Sequence, residues 1–501
     1  MRTKILVITF ILAFAASTAC AQQQNDQTLA IKGATLIDGK GGPPIADSVV
    51  LVTGDRIVGV GPASQVKVPP GAKTIDARGK WLIPGLVDAH VHFFQSGGLY
   101  TRPDVIDLRD RVPYQQELAN IRKRLDYTFS RYLCSGITAV VDVGGPFRNF
   151  EVRDIADRTT AAPRVAVAGP LVSTYAPENL KTEDPAIIKV NNVDEALALV
   201  RRKLARYPDL IKIWFIRRPD VELAEATKIV KAVVDASHAA GVRVAVHATQ
   251  LETAKAAVEA GCDILVHSVT DTAVDQEFIQ MVKDRGVIYT TTAVVIEGYS
   301  EVLSQKVNLM DFERECGDPE VISSWGDLGK IPAEQLPPAA RRPRPFGNRE
   351  IILSNMKRMQ DAGAIVAAGT DAGNIGTLHG PALHREFELM AEAGLTPMQI
   401  IVSATRNAAL VFGNGPAGRK DATKRSSQGR PSVAPEIGSI EVGKLADLII
   451  LNADPIADIR NARNIQVVLK GGTIVWGKAG QRNRVIGLLD YRGTSVSLLS
   501  G

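Results

Sequence analysis

Histidine is scarce in this chain, with seven among 501 residues, alongside four cysteines and 5% aromatic residues. Cysteines this few and this far apart exclude a disulfide framework; Cys134 and Cys262 are expected as small buried hydrophobes. Lysine and arginine (59) nearly balance aspartate and glutamate (54), for a formal charge of +5. No nucleic-acid motif accompanies that mild excess, so a nucleic-acid partner is not expected. Past the first twenty-odd residues, no apolar run is long enough to cross a membrane.

What is present begins with an export leader. Arg2 and Lys4 form a positive start, Ile5 to Ala16 an uncharged apolar stretch, and Ala19-Cys20-Ala21 a small-x-small cleavage pattern before Gln22. Residues 1–21 are therefore expected to be removed, leaving a secreted or periplasmic protein. Cys20 also permits an outer-membrane lipoprotein, with a lipid anchor there as the membrane contact. The remaining length suits one large domain and one small one.

From 22 to 80 the chain reads as short strands, among them Leu29–Ile37, Ser48–Val52 and Gly54–Val60. From Trp81 apolar strand-like runs alternate with Ala-rich amphipathic helices. The strand candidates are Leu86–His92, Ala139–Val143, Arg164–Ala168, Leu210–Phe215, Arg243–His247, Ile264–His267, Val287–Thr291 and Ile365–Gly369. Eight βα repeats predict an α/β fold, a (β/α)8 barrel over 81–413, with an open doubly wound sheet as the alternative. Strand-like runs return within 436–478, at Ala446–Leu451 and Val467–Val475. A small β-sandwich built from both chain ends, with the barrel inserted, accounts for this shared composition. An irregular insertion is expected at about 298–345, a candidate lid or solvated excursion. A basic flexible insertion is expected at 414–435, and a tail without clear signal over 479–501.

Barrel enzymes place their chemistry at the C-terminal ends of strands. Those ends carry His90 and His92 (strand 1), Lys212 (within strand 4), His247 (strand 5), His267 (strand 6) and Asp371 (strand 8). Residues two apart on a strand share a face, so His90 and His92 can offer two nitrogens to one metal ion. Lys212 inside an apolar run is costly to bury as a cation; snorkelling or pairing with Asp371 are its ordinary fates. Arg217 and Arg218 follow strand 4 and are candidates for gripping a substrate carboxylate. His379, just past strand 8, is a candidate substrate contact or loop residue. Asp88, His238, His384 and Glu386 read as structural, and Thr370 and Gly373 as shaping the turn around Asp371.

Five segments carry a family resemblance: Gly85–His92, Ala260–His267, Ala368–Gly373, Leu395–Ala409 and Ile437–Leu448. In order and spacing they resemble the amidohydrolase superfamily, within its imidazolonepropionase-related, prolidase-like branch. The resemblance implies a metal-dependent hydrolase cleaving a C–N amide bond of a dipeptide or N-acyl amino acid. It implies that His90, His92 and Asp371 hold one Zn²⁺ and His247 and His267 a second, bridged by a Lys212 carbamate formed with CO₂. A metal-bridging hydroxide would attack the carbonyl, with Asp371 as general base and then general acid. It also implies assembly as a homo-oligomer. Two alternatives are a one-metal cyclic-amide or imidazolone hydrolase and a catalytically silent binding or assembly protein.

Overall fold

The computed structural model describes residues 27–218, 220–336, 338–341, 347–414 and 434–477. The leader with Cys20, most of the basic 414–435 segment and the 479–501 tail lie outside these residues. Strands β1 (Leu29–Leu36), β2 (Ile45–Thr53), β3 (Arg56–Pro62), β4 (Lys73–Asp76) and β5 (Trp81–Pro84) come first. The barrel strands are β6 (Leu86–Val91), β7 (Ile137–Asp142), β8 (Arg164–Val167), β9 (Leu171–Ser173), β10 (Ile187–Lys189), β11 (Ile211–Trp214), β12 (Val244–His247), β13 (Ile264–Val266), β14 (Ile288–Thr290) and β15 (Ile365–Ala367). The chain closes with β16 (Leu448–Leu451), β17 (Ile465–Lys470) and β18 (Thr473–Gly477).

The two ends form one bent sheet in the order β18-β17-β16-β5-β1-β2-β3, with β4 beside β1. Its inner face gathers Ile31, Val50 and Leu82 from the first strands with Leu448, Ile450 and Val467 from the last, which makes a β-sandwich core. Strand β5 belongs here, not to the barrel where its sequence neighbours place it: Trp81–Pro84 pairs antiparallel with β16. The Val467–Val475 run is not one strand, because Gly471 and Gly472 (φ +53° and +73°) turn β17 back on β18.

The barrel strands run parallel, β6-β7-β8 in one stretch and β9-β11-β12-β13-β14-β15 in the other. All eight expected barrel strands form. The third is split at Gly169-Pro170, so β8 pairs with β7 and β9 with β11. Proline has no N–H to continue the ladder. The Asp209 amide donates to the Val167 carbonyl (3.0 Å) and joins the two stretches there. The other seam lies between β6 and the segment after β15. The Ala89 amide donates to Ala368 O (3.1 Å), Asp371 N to His90 O (2.7 Å) and His92 N to Ala372 O (2.9 Å). Inside, small residues such as Ala89, Ala139, Ala166, Ala245 and Ala367 pack with Phe412, Val411 and Ile437, which plug the end opposite the site. An interior shared by strands around the whole ring is a packed core, as a closed barrel requires.

The segment expected to be an irregular insertion is mostly helical. Helices Ala293–Leu303, Asp311–Cys316 and Pro319–Trp325, with the turn Gly326–Lys330, cover the barrel mouth and bury Val295, Val302, Leu303, Trp325 and Leu328 against Leu99 and Ile375. These helices are short, and one starts on an Asp318 cap with Pro319 in its first turn. Such brief amphipathic pieces leave little periodicity to read. Trp325 Nε1 donates to Gly97 O (2.9 Å), and the Arg385 guanidinium pairs with both Glu297 oxygens (2.6 and 2.9 Å).

Cys134 is not a lone buried thiol. It forms a disulfide with Cys316 across 182 residues, Cα–Cα 5.6 Å, and ties the first barrel helix, Leu125–Cys134, to the cover. Spacing along the chain hid this pair, because only the tertiary fold brings the cover over that helix. Cys262 is buried and unbridged. Thiol titration of the denatured, unreduced protein, with Cys20 removed, should therefore find one thiol per chain. The paired Cys134→Ala/Cys316→Ala variant should lose about 2–4 kcal/mol of stability to denaturant.

Glu386, fully buried, accepts the Val294 amide (2.8 Å) at the start of the cover. Burial pushes its carboxyl from an ordinary 4.5 up to about 7. The folded state thus holds this proton more tightly than the unfolded chain. The group's contribution is full below about pH 4.5 and is lost as pH rises through about 7. Chemical denaturation of Glu386→Gln across pH 5 to 7.5 should show a flatter stability curve than the parent protein.

Candidate metal centre

His90 is the fifth residue of β6, and His92 follows the strand's end. Their Nε2 atoms lie 3.3 Å apart, each close to Asp371 Oδ1 at 3.3 and 3.1 Å. His92 Nδ1 donates to the Gly144 carbonyl (2.7 Å), which fixes the tautomer and leaves the Nε2 lone pair facing Asp371. His267 directly follows β13, with its Nδ1 against Thr292 Oγ1 (2.7 Å). His247 ends β12, its ring centroid 4.6 Å from that of His267, and the His90 and His267 rings are 4.7 Å apart. Ligand atoms of His90, His267 and Asp371 all lie within 4.8 Å of one another.

The turn around Asp371 is built by backbone constraint. His267 (φ +74°) and Asp371 (φ +61°) both adopt the left-handed region, which side chains other than glycine occupy only when their surroundings hold them there. A Cβ on Gly373 would stand 2.6 Å from His92 O, so only glycine lets this turn reach the strand-1 histidines. Asp88 secures it from below: Oδ1 accepts His90 N (3.2 Å) and Thr370 N (3.1 Å), and Oδ2 accepts Thr370 Oγ1 (2.6 Å). Asp88 is thus structural, as its sequence position suggested.

Electrostatics favour neutral bases around one anion. Burial pushes the His90 and His247 imidazoles down to about 3, and His267 well below its usual value. The neighbouring His90 holds the Asp371 carboxyl well below the usual range, against the opposing effect of burial. Lys212, only 1% exposed, is pushed down to about 7 by burial. Among the described residues no carboxylate comes within 4 Å of its ammonium, so pairing with Asp371 is not its fate. Neutral imidazole nitrogens and an ionised carboxylate whose buried Oδ1 has no hydrogen-bond donor make a donor set suited to a borderline divalent cation such as zinc.

The cluster opens on a cavity of about 290 Å³, whose walls include Lys212, Trp214, Val295, Tyr299 and Asn374. Arg217 and Arg218 do not line it: Arg217 binds Glu252 and the Val221 carbonyl, and Arg218 pairs with Asp220. His379 has both ring nitrogens committed, to Tyr132 OH (2.6 Å) and Gln95 O (2.8 Å), and faces a neighbouring cavity. His238 binds Asp263 (2.8 Å) and His384 binds Ser135 O (2.9 Å), both away from the cluster.

Three residues that sequence reasoning did not single out complete the site. Arg102 pairs with both Asp104 oxygens (2.7 and 2.6 Å) and donates to Tyr299 OH (3.0 Å) and to Asn374 Oδ1. Tyr299 OH donates to the same Asn374 oxygen (2.6 Å), while Asn374 Nδ2 donates to the Asp371 carbonyl (3.0 Å). Asn374 follows directly on the Gly-Thr-Asp-Ala-Gly motif, the one sequence signal available; Arg102 and Tyr299 stand in no motif.

A parallel barrel with a histidine and carboxylate cluster at the strand ends defines a metal-dependent hydrolase architecture. Residues 81–419 match the amidohydrolase family, and the chain belongs to that family, in the branch of imidazolonepropionases and prolidase-like enzymes. It is a hydrolase of carbon–nitrogen bonds, and its family is metal-dependent. The chain is 23% identical over 472 residues to an imidazolonepropionase of Alkaliphilus metalliredigens, covering 87% of this chain and 91% of the relative. It superposes on a Xaa-Pro dipeptidase structure with bound methionine (TM-score 0.64, 25% identity, 90% of this chain and 100% of the other). Molinate hydrolase shares the fold (TM-score 0.64, 23% identity, 95% and 99% covered).

Asn374 offers a direct check on the Asp371 turn. Asn374→Ala should lower kcat about tenfold, the equivalent of one buried hydrogen bond, with KM nearly unchanged. Asn374→Asp keeps the acceptor for Arg102 and Tyr299 but removes the donor to Asp371. Steady-state kinetics should show it impaired as much as the alanine variant.

Proposed function

We propose that this protein is a two-metal amidohydrolase that cleaves the C–N bond of a dipeptide or N-acyl amino acid. The observation that carries this reading is Lys212: a buried lysine beside the histidine cluster, with its ammonium destabilised. His90, His92 and Asp371 would hold one divalent ion, with zinc the expected metal, and His247 and His267 the second. Divalent ions at such a centre polarise a carbonyl and lower the pKa of an attacking water.

The chain's own residues supply the rest. Burial favours the neutral amine of Lys212, whose nitrogen lone pair can attack CO₂. Formation of the N–C bond would release one proton to solvent and leave a carbamate anion, whose oxygens would suit a divalent-metal site. Asp371, held ionised, accepts the proton of the attacking water at a carboxylate oxygen and returns it to the leaving nitrogen. His92 is kept in its Nδ1-protonated tautomer by Gly144 O, and His267 is oriented by Thr292. Val295 and Tyr299 of the helical cover line the cavity. The likeness to a Xaa-Pro dipeptidase supports the substrate class. The Cys134–Cys316 bridge supports an exported protein, since such bonds persist in oxidising compartments.

Metal analysis of the purified protein should give about two ions per chain. Lys212→Ala should lose metal and fall below about a thousandth of wild-type kcat/KM. A metal content near zero overturns the enzyme reading. One ion per chain with turnover of an imidazolone favours the one-metal alternative, to which the likeness to imidazolonepropionase points.

A further inference from the structure

The cavity is charge-asymmetric. Its walls away from the cluster are largely uncharged: apolar Leu171, Leu180, Val295 and Ile352 stand with polar Thr249 and Thr270. One guanidinium, that of Arg102, reaches the cavity, in company with Tyr299 and Asn374. Among the described lining residues, Asp371 is the sole carboxylate, and it belongs to the cluster. Asp104, which pairs with Arg102, is not among the residues that line the cavity.

A dipeptide brings two charges, a carboxylate and an α-ammonium, while an N-acyl amino acid brings only the carboxylate. A guanidinium has five N–H donors. In Arg102, two go to Asp104, one to Tyr299 and one to Asn374, which leaves one Nη2 hydrogen outside these bonds on a residue that lines the cavity. An α-ammonium on the acyl side would meet apolar and uncharged polar walls, with no carboxylate outside the cluster to neutralise it. An unpaired charge in such surroundings is strongly disfavoured.

Resting on the amide-hydrolase reading above, we propose that the site selects N-acylated amino acids with an uncharged, apolar acyl group and discriminates against free dipeptides. In the reaction the amide C–N bond breaks, water's hydroxyl goes to the acyl carbon and its proton to the nitrogen. A fatty or branched carboxylate and a free amino acid leave.

The test uses the metal-loaded wild-type protein and two substrates that differ by one group, 4-methylpentanoyl-L-leucine and L-leucyl-L-leucine. The first lacks only the ammonium of the second. The acyl compound should be cleaved with a kcat/KM about 100-fold higher or more. As a readout independent of turnover, 4-methylpentanoate should raise the thermal midpoint of the protein at concentrations where leucine does not. Equal or faster cleavage of the dipeptide overturns the selectivity and leaves the amide-hydrolase reading standing. If the protein carries two metals per chain and cleaves neither compound, the amino-acid amide reading falls, and this inference with it.

Discussion

The site depends on the seam where the barrel closes on itself. Hydrogen bonds from Ala89, Asp371 and His92 across to Ala368, His90 and Ala372 join the first strand to the segment after the last. Without that closure the strand-1 histidines and Asp371 belong to opposite edges of a sheet. With it, their ligand atoms stand within hydrogen-bond distance. The seam is itself held by a buried aspartate: Asp88 accepts from both sides, from the His90 amide and from Thr370. Glycine at 373 is the steric condition for the approach.

Around this seam the other parts take their roles from position. The end sheet covers one flank of the barrel through β5 and β16, and the 408–412 segment plugs the end away from the chemistry. The opposite end is roofed by helices held by a disulfide, by the Glu297–Arg385 pair and by Trp325. The arrangement leaves one face of the cluster open to a lined cavity and the remainder dry. Dry surroundings keep the imidazoles neutral and raise the worth of each fixed charge.

Much of this was legible in the sequence because period and punctuation report the barrel. Each run from Leu86 to Gly369 is apolar on both faces, as a buried parallel strand must be, and each is followed by a helical stretch. The residues closing those runs are the ones the fold gathers, from His90 to Asp371. What was not legible depends on contacts distant in sequence. Cys134 and Cys316 are far apart along the chain, and nothing local marks them as partners. Trp81–Pro84 reads as barrel because it adjoins Leu86, yet its ladder partner lies near the other end of the chain. Arg217 and Arg218 follow a barrel strand as a substrate grip would, but Glu252 and Asp220 claim them. Arg102, Tyr299 and Asn374 come from three separate segments, and only the packed cover unites them.

One helix of that cover serves two masters. Val295 and Ile296 line the cavity beside the cluster, while Tyr299, a turn further on, bonds the asparagine that bonds the Asp371 carbonyl. The shape of the cavity and the turn at Asp371 are therefore mechanically geared to each other. A lineage or an engineer reshaping this pocket through that helix would disturb the aspartate as well. New substrate ranges are reached with less damage from the β9 and β10 side, where Leu171 and Ile187 touch the ligand space without touching the gear.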